Sequence, residues 1–510
     1  MTAMNDFSLD SPQRQSPLAI AFILLRFLRQ AVRRLWPLVL IIMFRKGDSY
    51  LAWFLGALLV ISVIQLVLSL ISYFNYYFHV KGNELLISKG VLRKTHLNIP
   101  FDRIQTINFS QNLLHQILNV VSVEVDTAGS SKSELSIDAL SRPHAEALRN
   151  HILRKKADME ADQTLPVVSQ LDHLESIVSI KQDRATDKLV FSMGPVDLMK
   201  VGISQNHIQT ALVIVGSLFG LVQFFDDIRE DAFTYVAEGI VNFQMLYGWI
   251  AFLGGFLILM VAAFFVSLFR SALRYFNLHL WQTEKGFKII AGLFNRKEQS
   301  AAHQKIQIIR WVTGPLKQLF GLFTVNLYQA SSQEVNAKRA ISIPGCYAPQ
   351  LEEILSTNFP PESRQNYTEH TISPRIISRH VLYLGIIPAG VATGIQLAMG
   401  DWTGLLFLLL IPAVWLLSRR YQSRWRWWIN EGNLMTRSGI IGTTFTLVHQ
   451  YKAQAVKVKQ SPYQRRHSLA SVDIYTAAGH VSIPYISLSF AHQLRDYLLY
   501  KAESDPRAWM

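Results

Sequence analysis

The side chains best equipped for chemistry in this 510-residue chain are fifteen histidines, one cysteine and fifty lysines and arginines. The histidines are scattered, and His79, His96 and His115 share one stretch without the spacing of metal ligands, so structural or surface roles are expected of them. No Gly-rich phosphate loop with a following Lys-Ser/Thr, no His-Glu-x-x-His and no Gly-x-Ser-x-Gly occurs in the sequence. Cys346 stands alone, which excludes an internal disulfide framework and a cysteine-rich metal site; it reads as a small buried residue at a strand turn. Asp102 and Arg103, beside Gln105, have the types for a polar site, but a strand-edge ion pair is the favoured reading of them. The chain is therefore expected to have no catalytic, metal or cofactor site.

The basic residues say more. Arg419, Arg420, Arg424 and Arg426 interleave with Trp425, Trp427 and Trp428, and Lys452, Lys457, Lys459, Arg465 and Arg466 follow. Basic clusters beside a membrane attract anionic headgroups at roughly 1 kcal/mol per residue. These residues are candidate anionic-lipid contacts, with solvated strand faces and ordinary topology signals as the alternative. Gly216 with Gly220, and Gly390 with Gly394, place glycines four apart on one helix face, a spacing that lets a second helix approach closely. They are candidate helix-packing sites, and association through them would include a homo-oligomer.

The elements that position these residues come in three copies. Gly90, Gln105, Val123 and Ala128 reappear as Gly292, Gln307, Val325 and Ala330, a step of 202 positions (292 − 90), and again as Gly439, Gln454, Val472 and Ala477, a step of 147 (439 − 292). A register kept twice without a gap marks one fold copied. Within a copy the pattern is of short strands: Val121, Val123 and Val125 point one way, Ser122, Glu124 and Asp126 the other. Each copy closes on a short helical pattern, at Ala145–Ile152, Ala348–Leu355 and Ala491–Leu499. The unit reads as a small β-sandwich or open barrel with a C-terminal helix.

Between the copies the chain is apolar. Hydrophobic residues make up 50% and charged residues 17% of the sequence, against about 25% charged in soluble domains. Leu51–Tyr73 carries no charge and ends in the aromatic group Tyr73 to Tyr77. His207–Phe225 and Phe243–Leu268, then His380–Met399 and Trp402–Leu417, form two further pairs of spans. The first pair is completed less clearly by Leu35–Phe44, preceded by an arginine-bearing helix at Leu18–Leu35 of interfacial character. The spans carry essentially no central charge, which argues against an ion-coupled transporter. Arg26–Arg34, Lys200, Arg270, Arg274, Arg375, Arg379 and Arg419–Arg426 are expected on the side of the β-units, whereas Asp226–Asp231 and Asp401 are expected opposite. Basic flanks stay cytoplasmic, so all three units and both termini are expected in the cytosol; Arg45 and Lys46 run against this for the first pair. Topology thus accounts for the net charge of +14 without nucleic acid.

The Gly-x-hydrophobic turn Gly90-Val91-Leu92, the run Ile99-Pro100-Phe101-Asp102-Arg103-Ile104-Gln105 and the strand Val121–Gly129 resemble the bacterial pleckstrin-homology domain of type 2. Residues 17–500 together resemble bacterial membrane proteins with three such domains. The resemblance implies an α+β membrane protein: three repeats of a transmembrane helical hairpin plus a pleckstrin-homology-like sandwich or open barrel with a C-terminal helix. The expected divisions are an interfacial helix and hairpin at 17–74 and a domain at 75–154; a linker at 155–190; an interfacial helix and hairpin at 191–274 and a domain at 275–358; a linker at 359–372; a hairpin at 373–420 and a domain at 421–502. It implies no reaction. The expected role is a non-enzymatic scaffold in a bacterial inner membrane, binding a protein, a peptide or anionic lipid. The alternative is a transporter or lipid-handling protein with the hairpins forming the path.

Overall fold

The computed structural model describes residues 11–20, 22, 24, 27, 49–90, 94–127, 135–162, 187–224, 248–330 and 340–507. The expected span at 35–44, the acidic loop at 226–231, most of the linker at 155–190 and most of the interfacial helix at 18–35 lie outside them. The chain forms two compact units, residues 1–183 with 205–278 and 290–299, and residues 184–204 with 279–289 and 300–510.

In the first unit, β1 (Gln13–Arg14) precedes helix α1 (Ser49–Phe74), which is followed by β2 (Tyr77–Lys81), β3 (Glu84–Lys89) and β4 (Thr95–Pro100). The strands make one antiparallel sheet in the order β1-β2-β3-β4. β5 (Ile104–Asn112), the single-turn helix α2 (Leu113–Ile117), β6 (Val120–Thr127) and β7 (Leu135–Ser141) follow, with β6 paired antiparallel to both neighbouring strands. The expected alternation holds: Val121, Val123 and Val125 are buried with Phe78, Leu85 and Phe101 in one core. Helix α3 (Arg142–Asp162) closes it with Ala145, Leu148 and Ile152. It outruns the helical pattern at Ala145–Ile152 because Met159 still finds the core and the intervening residues are good helix formers.

The chain continues through β8 (Lys188–Ser192), α4 (Pro195–Ile203), α5 (His207–Phe224), α6 (Trp249–Tyr275), β9 (His279–Thr283), β10 (Gly286–Ala291) and β11 (Asn295–Ala302). α5 and α6 pack together in the first unit. There too, Asn295 to Glu298 of β11 pair with Asn112 to Phe109 of β5.

The second unit contains β8 paired with β9, then β12 (Ile306–Thr313), α7 (Pro315–Leu319), β13 (Phe323–Gln329), β14 (Ile341–Cys346) and α8 (Ala348–Asn358). After β15 (Thr368–Thr371) come α9 (Arg375–His380), α10 (Ile387–Ala398) and α11 (Leu410–Arg424). β16 (Arg426–Ile429), β17 (Asn433–Ser438), β18 (Thr443–His449), β19 (Ala455–Lys459), α12 (Pro462–Arg466), β20 (Leu469–Thr476), β21 (Gly479–Ser487) and α13 (Leu488–Ser504) complete it. Seven strands form one sheet in the order β14-β13-β12-β18-β17-β16-β15, and β19-β20-β21 form another. Between them Trp427, Leu434, Val472, Ile483 and Tyr485 pack with Leu494 and Leu498 of α13.

The repeat is visible at backbone level. 3-10 turns fall at Phe101–Arg103, His303–Lys305 and Gln450–Lys452, and the single-turn helices α2, α7 and α12 keep the same two steps. Gly90, Gly292 and Gly439 have φ of 124°, 110° and 132°. A Cβ on Gly439 would lie 2.2 Å from the Gly442 carbonyl oxygen, and one on Gly292 would lie 2.3 Å from that of Asn295. Only glycine closes this turn.

Three helical stretches are long and apolar enough to cross a membrane, Leu253–Tyr275, Arg375–Ala398 and Trp402–Arg424, among the described residues. Their apolar side chains face outward, as with Ile258 at 72% and Leu406 at 66% exposure. α1 covers the expected span Leu51–Tyr73. Before each stretch of helices runs a short strand that pairs with the strand after it: β1 with β2, β8 with β9 and β15 with β16. The chain thus leaves and re-enters each sheet on adjacent strands. These strands have two, five and four residues, too short to announce themselves by period.

Candidate functional site

The structure divides the candidate basic residues into groups with different work. At the end of α11, Arg420 Nε donates to the Ile440 carbonyl at 2.9 Å, and Arg424 Nη1 donates to the carbonyls of Ile440 and Ile441 at 2.9 and 3.1 Å. The arginines fasten the β17–β18 turn to the last turns of an apolar helix. Arg419 lies over the Trp415 ring at 5.4 Å. Arg426 bridges to Glu369 at 3.0 Å, joining β16 to β15. Arg465 and Arg466 are exposed on α12, which touches the start of α9 where Tyr463 Oη donates to the Arg375 carbonyl at 3.3 Å.

β19 carries the remainder. Lys457 lies 5.0 Å from the Tyr475 ring centroid. Lys459 is paired with Asp473 at 2.6 Å, and hydrogen bonds to Asp473 and Tyr475 raise its pKa.

Lys452 is a correction. Only 2% exposed, it donates to the carbonyls of Gln304 at 2.8 Å and Ile306 at 2.6 Å. Its ammonium belongs to the junction between the second and third repeats and is not offered to a headgroup. Burial, and secondarily Arg507, push its pKa down to about 8. Beside it, His449 stacks on Phe359 at 3.9 Å and shares a 2.8 Å hydrogen bond between Nδ1 and Asn433 Oδ1. Burial, then Lys452 and Arg507, bring the imidazole down to about 3, so it is neutral at pH 7.

Three of the four candidate packing glycines, Gly216, Gly390 and Gly394, lie away from any close approach within the described residues. A Cβ built on Gly216, Gly390 or Gly394 meets nothing within 4 Å, and Gly220 lies on the same helix as Gly216. Helices of this chain instead come together at Gly385, whose Cβ would sit 3.5 Å from the Ile411 Cα, and at Gly404, 2.5 Å from the Gln396 Cβ. Thr393 Oγ1 donates to the Gly404 carbonyl at 2.9 Å and seals that contact. Gly385 has no glycine four residues away, and Gly400, four residues before Gly404, lies in the turn between the helices at a φ of 81°, so a pattern of paired glycines on one helix face passes over both.

Sequence reasoning also missed a groove of about 840 Å³ beside β15. Thr368 and His370 of the strand form one wall, and Phe490, Leu494, Tyr497 and Lys501 of α13 form the other. The helix residues recur at helical spacing, a signal present in the sequence. β15 ends its sheet, so among the described residues no strand pairs with its outer edge. His370 stacks on Trp427 at 4.4 Å, and burial lowers its pKa. Elsewhere the buried Cys346 thiol, pushed up to about 12, lies 3.7 Å from the Ile343 carbonyl oxygen and has the structural role expected of it.

Repeated antiparallel units closed by C-terminal helices, with apolar helices between their strands, define a membrane protein built on bacterial pleckstrin-homology domains. The model of the bacterial PH domain matches residues 23–156, 238–357 and 382–502; this chain belongs to that family. It is similar to the UPF0699 transmembrane protein YdbT of Bacillus subtilis (strain 168), with 23% identity over 478 residues that cover 91% of this chain and 92% of that protein. It also resembles the UPF0699 transmembrane protein YdbS of the same organism, with 33% identity over 86 residues, 17% of this chain and 54% of that one. No solved structure matches.

Proposed function

We propose that the chain is a non-enzymatic scaffold of the bacterial inner membrane. Three helical hairpins hold three pleckstrin-homology-like units at the cytoplasmic face to bind a protein, a peptide or anionic lipid. The observation that carries this reading is the pairing of β1 with β2, β8 with β9 and β15 with β16. Strands that flank inserted helices and pair with each other require the chain to return to the side from which it left. Basic residues at those ends, Arg274, Arg375, Arg379 and Arg424 among them, favour the cytoplasm for that side. The groove between β15 and α13 supports a peptide as one ligand, since an unpaired strand edge with side-chain pockets alongside accepts an extended chain.

Crosslinking of the full chain in native membranes, followed by mass spectrometry of the copurified proteins and lipids, tests the proposal. Reproducible enrichment of a protein or of anionic lipid over a control membrane protein is expected. Enrichment of neither would reject a scaffold.

A further inference from the structure

Around the end of α11 the second unit exposes apolar side chains that its folding does not use. Ile440 and Ile441 tip the β17–β18 turn at 37% and 63% exposure; Leu316 and Leu319 of α7 stand at 44% and 77%, and Val196 and Met199 of α4 at 64% and 56%. The three pieces are neighbours. α7 packs on α4, and Gly314, at the head of α7, lies 3.5 Å from a Cβ built on Gly442 in the turn. Exposed apolar side chains grouped in this way mark a surface that meets another apolar phase.

What covers the surface follows from its attachment. Arg420 and Arg424, on the last turns of α11, hold the turn by the carbonyls of Ile440 and Ile441. The turn therefore lies at the depth where that helix ends, and the outward apolar face of α11, with Leu416 and Leu417 at 60% and 48% exposure, leads towards it. Each guanidinium has five N–H donors, and these bonds leave others for lipid phosphates.

The first unit repeats the arrangement with its own residues. Leu293 N donates to the Leu273 carbonyl at 2.9 Å, tying the β10–β11 turn to the end of α6, and Gln116 Nε2 of α2 donates to the Leu293 carbonyl at 2.9 Å. Phe294 and Ile117 stand exposed there at 45% and 75%.

We propose that these turns and single-turn helices are bilayer wedges, inserting their apolar tips at the headgroup boundary of the membrane that the neighbouring helices cross. The wedges press the β-units against the bilayer and fix their tilt. The inference rests on the reading of α11 as a membrane span.

Because Cys346 is buried, single cysteines placed elsewhere are labelled against little background. Full-length Ile441→Cys, Leu319→Cys and Leu416→Cys, each carrying bimane, are to be reconstituted in phosphatidylethanolamine–phosphatidylglycerol vesicles; Leu316→Cys replaces any tip variant that misfolds. Emission is then read with nitroxide lipids labelled just below the headgroup and with aqueous iodide. Labels at 441 and 319 are expected to lose most of their emission to the lipid nitroxide and little to iodide, and the label at 416 to be quenched by lipid as well. Lipid quenching at 416 with iodide quenching at 441 and 319 would overturn the wedges and leave the span intact. Iodide quenching at all three positions would overturn the span reading itself.

Discussion

Lys452 Nζ donates to the carbonyl oxygen of Ile306 at 2.6 Å, so that the 3-10 turn of the third repeat is tied to the matching turn of the second. The same stretch of chain reaches β18, which pairs along β12 from Ile308↔Val448 to Thr313↔Thr443. Together the lysine and the strand pairing join two repeats into one sheet.

Replacing that lysine tests the junction. Lys452→Met leaves the carbonyls of Gln304 and Ile306 without this donor, at a cost of about 1–3 kcal/mol for a buried acceptor left unmade. The sign of the pH dependence is fixed by the lowered pKa. Below about pH 8 both folded and unfolded forms are charged, and the burial penalty is present in full. Between about 8 and the ordinary value of 10.5 only the unfolded form keeps the proton, so stability rises with pH. Thermal unfolding in detergent across this range is expected to show the wild type gaining on Lys452→Met.

His449 predicts the opposite end of the pH scale. Its folded pKa of about 3 lies below the ordinary 6.5, so as pH falls through that window the unfolded state takes up a proton that the folded state refuses. Stability contributed by the neutral imidazole is therefore lost progressively from about pH 6.5 towards 3. Asp505, Arg507 and Lys452 are the charged groups that act on the ring. Acid unfolding followed by tryptophan fluorescence is expected to be steeper in this window for the wild type than for His449→Gln.

Gly439→Ala puts a Cβ 2.2 Å from the Gly442 carbonyl oxygen at a φ of 132°. Strained backbone of this kind costs on the order of 1–3 kcal/mol, and the steric conflict adds to it. Urea unfolding in detergent is expected to show that loss, while Gly390→Ala, in open space, leaves the midpoint nearly unchanged.

The residues that are legible from sequence are those whose chemistry permits one structure. Gly90, Gly292 and Gly439 reveal the repeat because no other residue closes their turn, and Val121, Val123 and Val125 reveal a strand because one face must be buried. β1, β8 and β15 are silent: a few residues carry no period, and their partners lie beyond the inserted helices. Lys452 misleads because it reads as a surface cation until the pairing of β12 with β18 brings Ile306 to it. The groove beside β15 is half legible, in the spacing of Phe490, Leu494 and Tyr497, since its other wall is made by a strand that the pattern does not show.

The most direct measurement of the central claim is topology. Reporter fusions placed after Tyr76, Asn277 and Trp428 in living bacteria, with an enzyme active only in the cytoplasm and another active only outside it, read the side of each unit. The account predicts a cytoplasmic signal at all three positions; a single position reporting the far side would contradict it.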